Sequence, residues 1–266
     1  MTASRNTASS DLVQVARDAR GVATITLNDP ARFNALGGEM LAALQQAIDA
    51  LAQDESLRVV VLAAVGKAFC AGHNLKDMAQ HPELDWYQQL FAQCSRVMLS
   101  LHKLPVPVIA RVHGMATAAG CQLVAQCDLA VAADCASFAT SGIHYGLFCS
   151  TPSVPLVRNV PAKRAMEMLL TGDFIDAATA KQEGLVNRVV SLQALDAEVE
   201  QLVQSILEKP RAAVAMGKAL VYRQRELGLE AAYQLAGQTM AVNMMDAAAQ
   251  EGARAFAEKR KPDWKC

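Results

Sequence analysis

Two runs of small residues, 68–73 (AFCAGH) and 116–120 (ATAAG), are the places in this chain where the backbone itself could do chemistry. Each follows an apolar run rich in β-branched residues, and the second opens a stretch with helical patterning. The first N–H groups of a helix lack intrahelical acceptors and carry the positive end of its dipole. They can therefore hold an oxygen that gains negative charge, and two such turns on neighbouring strands could converge on one oxygen. Small residues at strand-to-helix turns also serve close packing, so this feature alone does not name a reaction.

The side chains nearby that could handle a proton are few. Gln122 lies one turn into the second helix and can hydrogen-bond, but it cannot exchange a proton near pH 7. His144 belongs to the residue type that titrates closest to neutrality, with a histidine satisfied inside the fold as the competing reading. Ser150 and Thr151 are hydroxyls without an identified base, and both types also favour helix starts. Asp128 has the ordinary reading of a carboxylate bonding local backbone. His73, His81, His102, His113 and His144 show no metal-ligand spacing, so no metal is expected. The glycine patterns of dinucleotide and nucleoside-triphosphate sites are absent.

The elements that must position these groups follow from periodicity. Residues 12–16 and 22–27 alternate as a strand hairpin, and 38–52 and 84–102 place apolar residues on one helical face. Residues 57–64, 108–112 and 129–133 are apolar runs of buried parallel-strand character, with 65–75 read as a loop. The alternation predicts an α/β fold with helices outside a mostly parallel sheet. Beyond residue 142 the pattern turns helical over 163–170, 176–183 (Asp176 as N-cap), 192–207, 211–225 and 229–260 with breaks, and only 185–190 looks extended. The expected division is a disordered tail over 1–10, a core over 11–195 and a helical subdomain over 196–266. No internal sequence repeat stands out.

A net charge of −1 from 25 basic and 26 acidic residues gives no footprint for nucleic acid or an anionic membrane. No run reaches the length of a membrane span, and residues 1–10 lack a signal-peptide core. Seven cysteines without CxxC spacing read as free thiols in a reducing compartment. A cytoplasmic protein is expected, or a mitochondrial-matrix one if the source is a eukaryote.

Residues 67–78 (KAFCAGHNLKDM) resemble the AF-x-AG-x-D-(I/L)-K-x-M signature of the enoyl-CoA hydratase/isomerase (crotonase) superfamily, and 113–130 resemble its (N/H)G-x-A-x-GGG-C-E…CD signature. Similarity extends to Leu27, Asn28, Pro30, Asn34, Ala35 and Leu36, to 169–172, 180–189 and 256–261, and so spans nearly the whole chain. The resemblance implies a crotonase-like spiral ββα superhelix with a C-terminal α-helical trimerisation region, assembling as a homotrimer or a hexamer of paired trimers. It implies an acyl-CoA substrate, with no tightly bound cofactor, whose thioester carbonyl is held by the backbone N–H groups of His73 and Ala119. Arg32, Lys76, Lys259 and Lys261 become candidates for the coenzyme A phosphates, with Ala71, Asn74 and Leu75 beside the ligand.

Hydratases of this family use two glutamates to activate water and deliver a proton. Here those positions hold Gln122 and Gly142, and Asn74 replaces the signature aspartate. Runs 116–125 and 146–152 match a subgroup of the family closely. Since a positioned acid or base contributes about 10²–10⁴ in rate, these replacements predict poor hydration with acyl-CoA binding intact. Isomerisation, thioester cleavage and a binding or regulatory role with little catalysis are the alternatives. His144 and Ser150 are the side chains left to serve as catalytic groups.

Overall fold

The computed structural model describes residues 12–264, so the expected tail and Cys266 lie outside the described residues. The chain opens with the hairpin β1 (Val13–Arg17) and β2 (Val22–Leu27), followed by α1 (Gly38–Ala52), which buries Met40, Leu41, Leu44, Ala47, Ile48 and Leu51. These are the apolar positions of its helical period, and their burial anchors the helix on the core. Then come β3 (Val59–Ala64), β4 (Ala68–Cys70), α2 (Leu75–Gln80), α3 (Leu84–Lys103), β5 (Val108–Val112), β6 (Met115–Thr117), α4 (Ala119–Gln126), β7 (Leu129–Ala133) and β8 (Ser137–Ala139).

The strand pairs β3/β4, β5/β6 and β7/β8 repeat one geometry. In each, the first strand joins a six-stranded sheet of order β1-β2-β3-β5-β7-β10, and the second joins a four-stranded sheet of order β4-β6-β8-β9. Helices lead from one pair to the next, which makes the chain a spiral of ββα units without any repeat of residues. In the large sheet only β1 is antiparallel, and the buried strands β3, β5 and β7 carry the continuous apolar runs that cover on both faces requires.

The second half comprises α5 (Ser150–Asn159), α6 (Ala162–Thr171), β9 (Ile175–Asp176), α7 (Ala177–Gln182), β10 (Arg188–Val190), α8 (Leu195–Leu207), α9 (Arg211–Gln224), α10 (Leu229–Met244) and α11 (Ala247–Ala257). Asp176 caps α7 by accepting the Thr179 N–H at 2.7 Å. Helix α8 lays Leu195, Val199 and Val203 on Val59, Val61, Ile109 and Val131 of the large sheet.

The stretch read as a loop over 65–75 contains β4, and β8 and β9 also form strands outside the expected set. At two or three residues each, these strands are too short to show alternation. Ser150 and Thr151, of types that favour helix starts, are the first two residues of α5. Among the described residues no helix is long and apolar enough to cross a membrane, and no group of three or more His, Cys, Asp or Glu is placed to hold a metal ion.

Candidate active site

Strands β4 and β6 are parallel neighbours, with Ala68 opposite Met115 and Cys70 opposite Ala116, so the turns that leave them lie side by side. Gly120 enforces the closeness: a Cβ there would fall 2.1 Å from the Cys70 carbonyl oxygen. Gly72, at φ +88°, does the same for the loop, since its Cβ would lie 2.8 Å from the Ala118 Cβ and 3.0 Å from the Ala119 nitrogen. Only glycine fits at a positive φ with backbone this near.

That loop is tied down from behind. Asn34, fully buried at φ 55°, donates from Nδ2 to the carbonyls of Val65 and Ala68 at 2.9 and 3.0 Å and accepts the Asp29 N–H at 2.8 Å. The Ala71 N–H donates to Phe33 O, and the Leu36 N–H donates to Gly72 O. The N-A-L run of residues 34–36 is thus the brace that fixes His73 against α4.

The N–H groups of His73 and Ala119 make no hydrogen bond among the described residues. Ala119 is the first residue of α4, and Ala118 before it takes φ 49° and ψ −121°, a backbone state that costs an alanine about 1–3 kcal/mol. That state is held by Ala118 N donating to Ala139 O and by Gln122 N donating to Ala118 O. Ala119 follows Ala118 as the start of α4, with its nitrogen 3.0 Å from where a Cβ on Gly72, the neighbour of His73, would lie.

Both residues line a cavity of about 550 Å³. Its walls are largely apolar, with Leu75, Phe91, Met115, Leu147, Phe148 and Phe174, and include no Asp, Glu, Lys or Arg. Of the residues singled out in the sequence, Ala71, His73, Leu75, Ala119, Gly142, His144, Ser150 and Thr151 meet here. Gln122 does not line it: its side chain is buried inside the fold, and its Oε1 finds no hydrogen-bond partner among the described residues.

Gly142 has no room for a side chain. A Cβ on it would fall 2.6 Å from Leu147 O and 2.9 Å from Cys149 Sγ, because the segment after the 3-10 turn Ser141–Tyr145 folds back over it, with Leu147 N donating to Gly142 O at 3.1 Å. The volume where a glutamate side chain would begin is occupied by backbone.

Two histidines line the cavity. His73 Nδ1 lies 3.0 Å from Leu36 O; a carbonyl only accepts, so Nδ1 carries the hydrogen. Its Nε2 is buried and unpartnered, the ring sits edge-on to Phe91, and burial pushes its pKa down. His144 is exposed to solvent, and its Nε2 donates to Gly172 O at 3.2 Å. Cys149 is buried and its thiol is pushed up by burial.

The remaining candidates stand elsewhere. Asn74 caps α2, accepting from Lys76 N and Asp77 N, and with Arg32 lines a separate void of about 70 Å³. Arg32 pairs with Asp29 at 2.7 Å; Lys76 and Lys259 are exposed and do not line the cavity. Asp128 is a cross-chain node, where Oδ2 accepts from Val108 N and Lys218 Nζ and Oδ1 accepts from the Tyr222 hydroxyl, all at 2.7 Å.

Sequence reasoning missed the hydroxyl pair Thr117 and Ser141, whose oxygens lie 2.7 Å apart in the cavity wall. Thr117 sits inside the small-residue run and Ser141 precedes Gly142, so proximity to the motifs was the available signal. Phe91 and Phe174 carried none, being single apolar residues of a helix and a turn.

A family model described as enoyl-CoA hydratase/isomerase matches residues 17–266. The chain is 46% identical over 248 residues to mouse enoyl-CoA hydratase domain-containing protein 3, mitochondrial, covering 93% of this chain and 83% of the relative. It superposes with a TM-score of 0.95 on a crystal structure titled enoyl-CoA hydratase from Mycobacterium smegmatis, 62% identical, covering 97% of this chain and all of that one. The crystal structure of human enoyl-CoA hydratase domain-containing protein 3 superposes at 0.91 with 43% identity, covering 95% and 100%. With the spiral of ββα units and the paired signature turns accounted for in one fold, the chain belongs to the enoyl-CoA hydratase/isomerase (crotonase) family.

Proposed function

We propose that this protein binds an acyl-CoA thioester with its carbonyl oxygen between the N–H groups of His73 and Ala119 and its acyl group in the apolar cavity. The observation that carries this reading is the pair of unpartnered N–H groups, braced side by side at the mouth of a helix dipole, on a cavity wall without carboxylates. Hydrogen bonds there stabilise negative charge on the oxygen as an enolate or tetrahedral species forms, and one such donor is worth about 10²–10³ in rate. The coenzyme A phosphates meet exposed cations, for which Lys76 beside the loop and Lys259 remain the proposed partners.

The reaction is one that leans on the polarised carbonyl rather than on a glutamate pair, such as isomerisation or thioester cleavage. A second reading, an acyl-CoA-binding protein with little turnover, is favoured by the absence of any Asp or Glu from the cavity wall. We assign the working form as a homotrimer or hexamer, supported by Tyr233, Met240, Met245 and Phe256, which α10, its C-terminus and α11 leave exposed. The place of action is the cytoplasm, or the mitochondrial matrix in a eukaryote; the names of the vertebrate relatives carry the word mitochondrial.

Titration calorimetry with octanoyl-CoA and a spectrophotometric assay of but-2-enoyl-CoA hydration test this together. Saturable binding is expected, with hydration about 10²–10⁴-fold below that of a relative bearing both glutamates. Absent binding would overturn the reading, and hydration at the relative's rate would overturn the assignment of chemistry.

A further inference from the structure

We infer that His144 is the general base of this site, exchanging a proton through Nδ1 with the carbon next to the thioester carbonyl. The inference rests on the thioester reading above and adds to it the residue that moves the proton.

Four groups in the cavity wall can titrate: His73, His144, Tyr145 and Cys149. Cys149 is buried and its thiol is held in the protonated form by desolvation. The bare nitrogen of His73, Nε2, is sealed from solvent, so a ligand in the cavity does not meet it. Tyr145 points largely to bulk water, at 73% exposure. His144 differs on each count. Its ring is exposed and lines the cavity, and its Nε2 hydrogen is committed to Gly172 O at 3.2 Å. The lone pair therefore sits on Nδ1, which makes no hydrogen bond among the described residues. Gly172, at φ +73°, is held at the end of α6 by its N–H donating to Met168 O at 2.9 Å, and a Cβ on it would lie 2.8 Å from His144 Nε2, so the ring packs directly on its orienting partner. A base with one nitrogen oriented by a carbonyl and the other open to the substrate is the arrangement that proton abstraction needs.

In the step, Nδ1 takes the proton, the C–H electron pair moves into the carbonyl, and the enolate oxygen is held by the N–H groups of His73 and Ala119. The imidazolium then returns a proton to the same carbon, so no oxidant or co-reactant is consumed. The turn carrying His144 packs on α6, whose titratable groups are Lys163, Arg164 and Glu167, followed by Asp173. Glu167 is paired with Arg164 at 2.6 Å, and among the described residues none of these bonds to the imidazole.

The test incubates the protein with octanoyl-CoA in D₂O and follows deuterium entering the carbon next to the carbonyl by mass spectrometry. The wild type is expected to exchange well above the rate of octanoyl-CoA alone in the same buffer. His144→Gln, whose amide can still donate to Gly172 O, is expected to lose about 100-fold or more while calorimetry shows octanoyl-CoA bound as before. Added imidazole should restore exchange to His144→Ala. Wild-type binding without exchange, or exchange in His144→Gln at the wild-type rate, would overturn the inference while leaving the thioester reading in place. Loss of octanoyl-CoA binding by the wild type would instead remove the reading on which it rests.

Discussion

Gly142 shows how far one residue constrains the chemistry. Restoring the family glutamate there is not a simple addition, because the Cβ alone would sit 2.6 Å from a backbone oxygen. Gly142→Glu is therefore expected to destabilise the protein by about 1–3 kcal/mol or more, as overpacking does, and to gain no hydration. Denaturant unfolding and the but-2-enoyl-CoA assay check this; a stable variant with raised hydration would show that the closing segment moves aside. That a carboxylate is missing was legible in the residue identity. That its space is filled was not, since it depends on Gly146 turning at φ +76° and bringing Leu147 back over the site. Gln122 behaves alike: the replacement is visible in the sequence, whereas its burial away from the cavity depends on how α4 sits against its neighbours.

Among the elements, α1, β5 and β7 have the limits that their periodicity predicts, because their apolar patterns are long enough to show a face. The strands that build the site, β4 and β6, are three residues each, too short to show alternation, and neither was among the expected strands. Asp128 carries the clearest element-scale consequence. It was readable as a local backbone acceptor, but the backbone N–H that it takes belongs to Val108, 20 residues earlier, and it also holds α9 through Lys218 and Tyr222, 90 and 94 positions later. Lys218, nearly buried, donates to Asp128 Oδ2 at 2.7 Å and to the carbonyls of Leu101 and Val106 at 3.2 and 3.0 Å. Burial drives the Lys218 pKa down, opposed by the Asp128 charge that keeps the ammonium favourable. A lone lysine in an amphipathic helix gives no sign of such a partner. Lys218→Met should cost about 3–5 kcal/mol by leaving Asp128 without its cation, and should raise hydrogen exchange along α9. Unchanged unfolding and exchange would mean that α9 is held by its apolar contacts instead.

At the scale of the whole molecule, the spiral core makes the site and the last helices leave an apolar surface. Tyr233, Met240, Met245 and Phe256 are between 72% and 87% exposed in the single chain, a face that assembly would cover. Light scattering after gel filtration is expected to give three or six times 28.4 kDa, and Tyr233→Glu with Phe256→Glu to lower that mass. A monomer at micromolar concentration would contradict the assembly. The family signatures announced the core and its helical end, whereas the surfaces that meet in an assembly depend on how α9, α10 and α11 fold against one another. The central claim, that the paired backbone N–H groups hold and polarise a thioester carbonyl, is tested most directly by difference infrared spectroscopy of octanoyl-CoA labelled with ¹³C at that carbon. The carbonyl stretch is predicted to fall to lower wavenumber when the protein binds it, and a bound carbonyl that absorbs as it does in water would contradict the account.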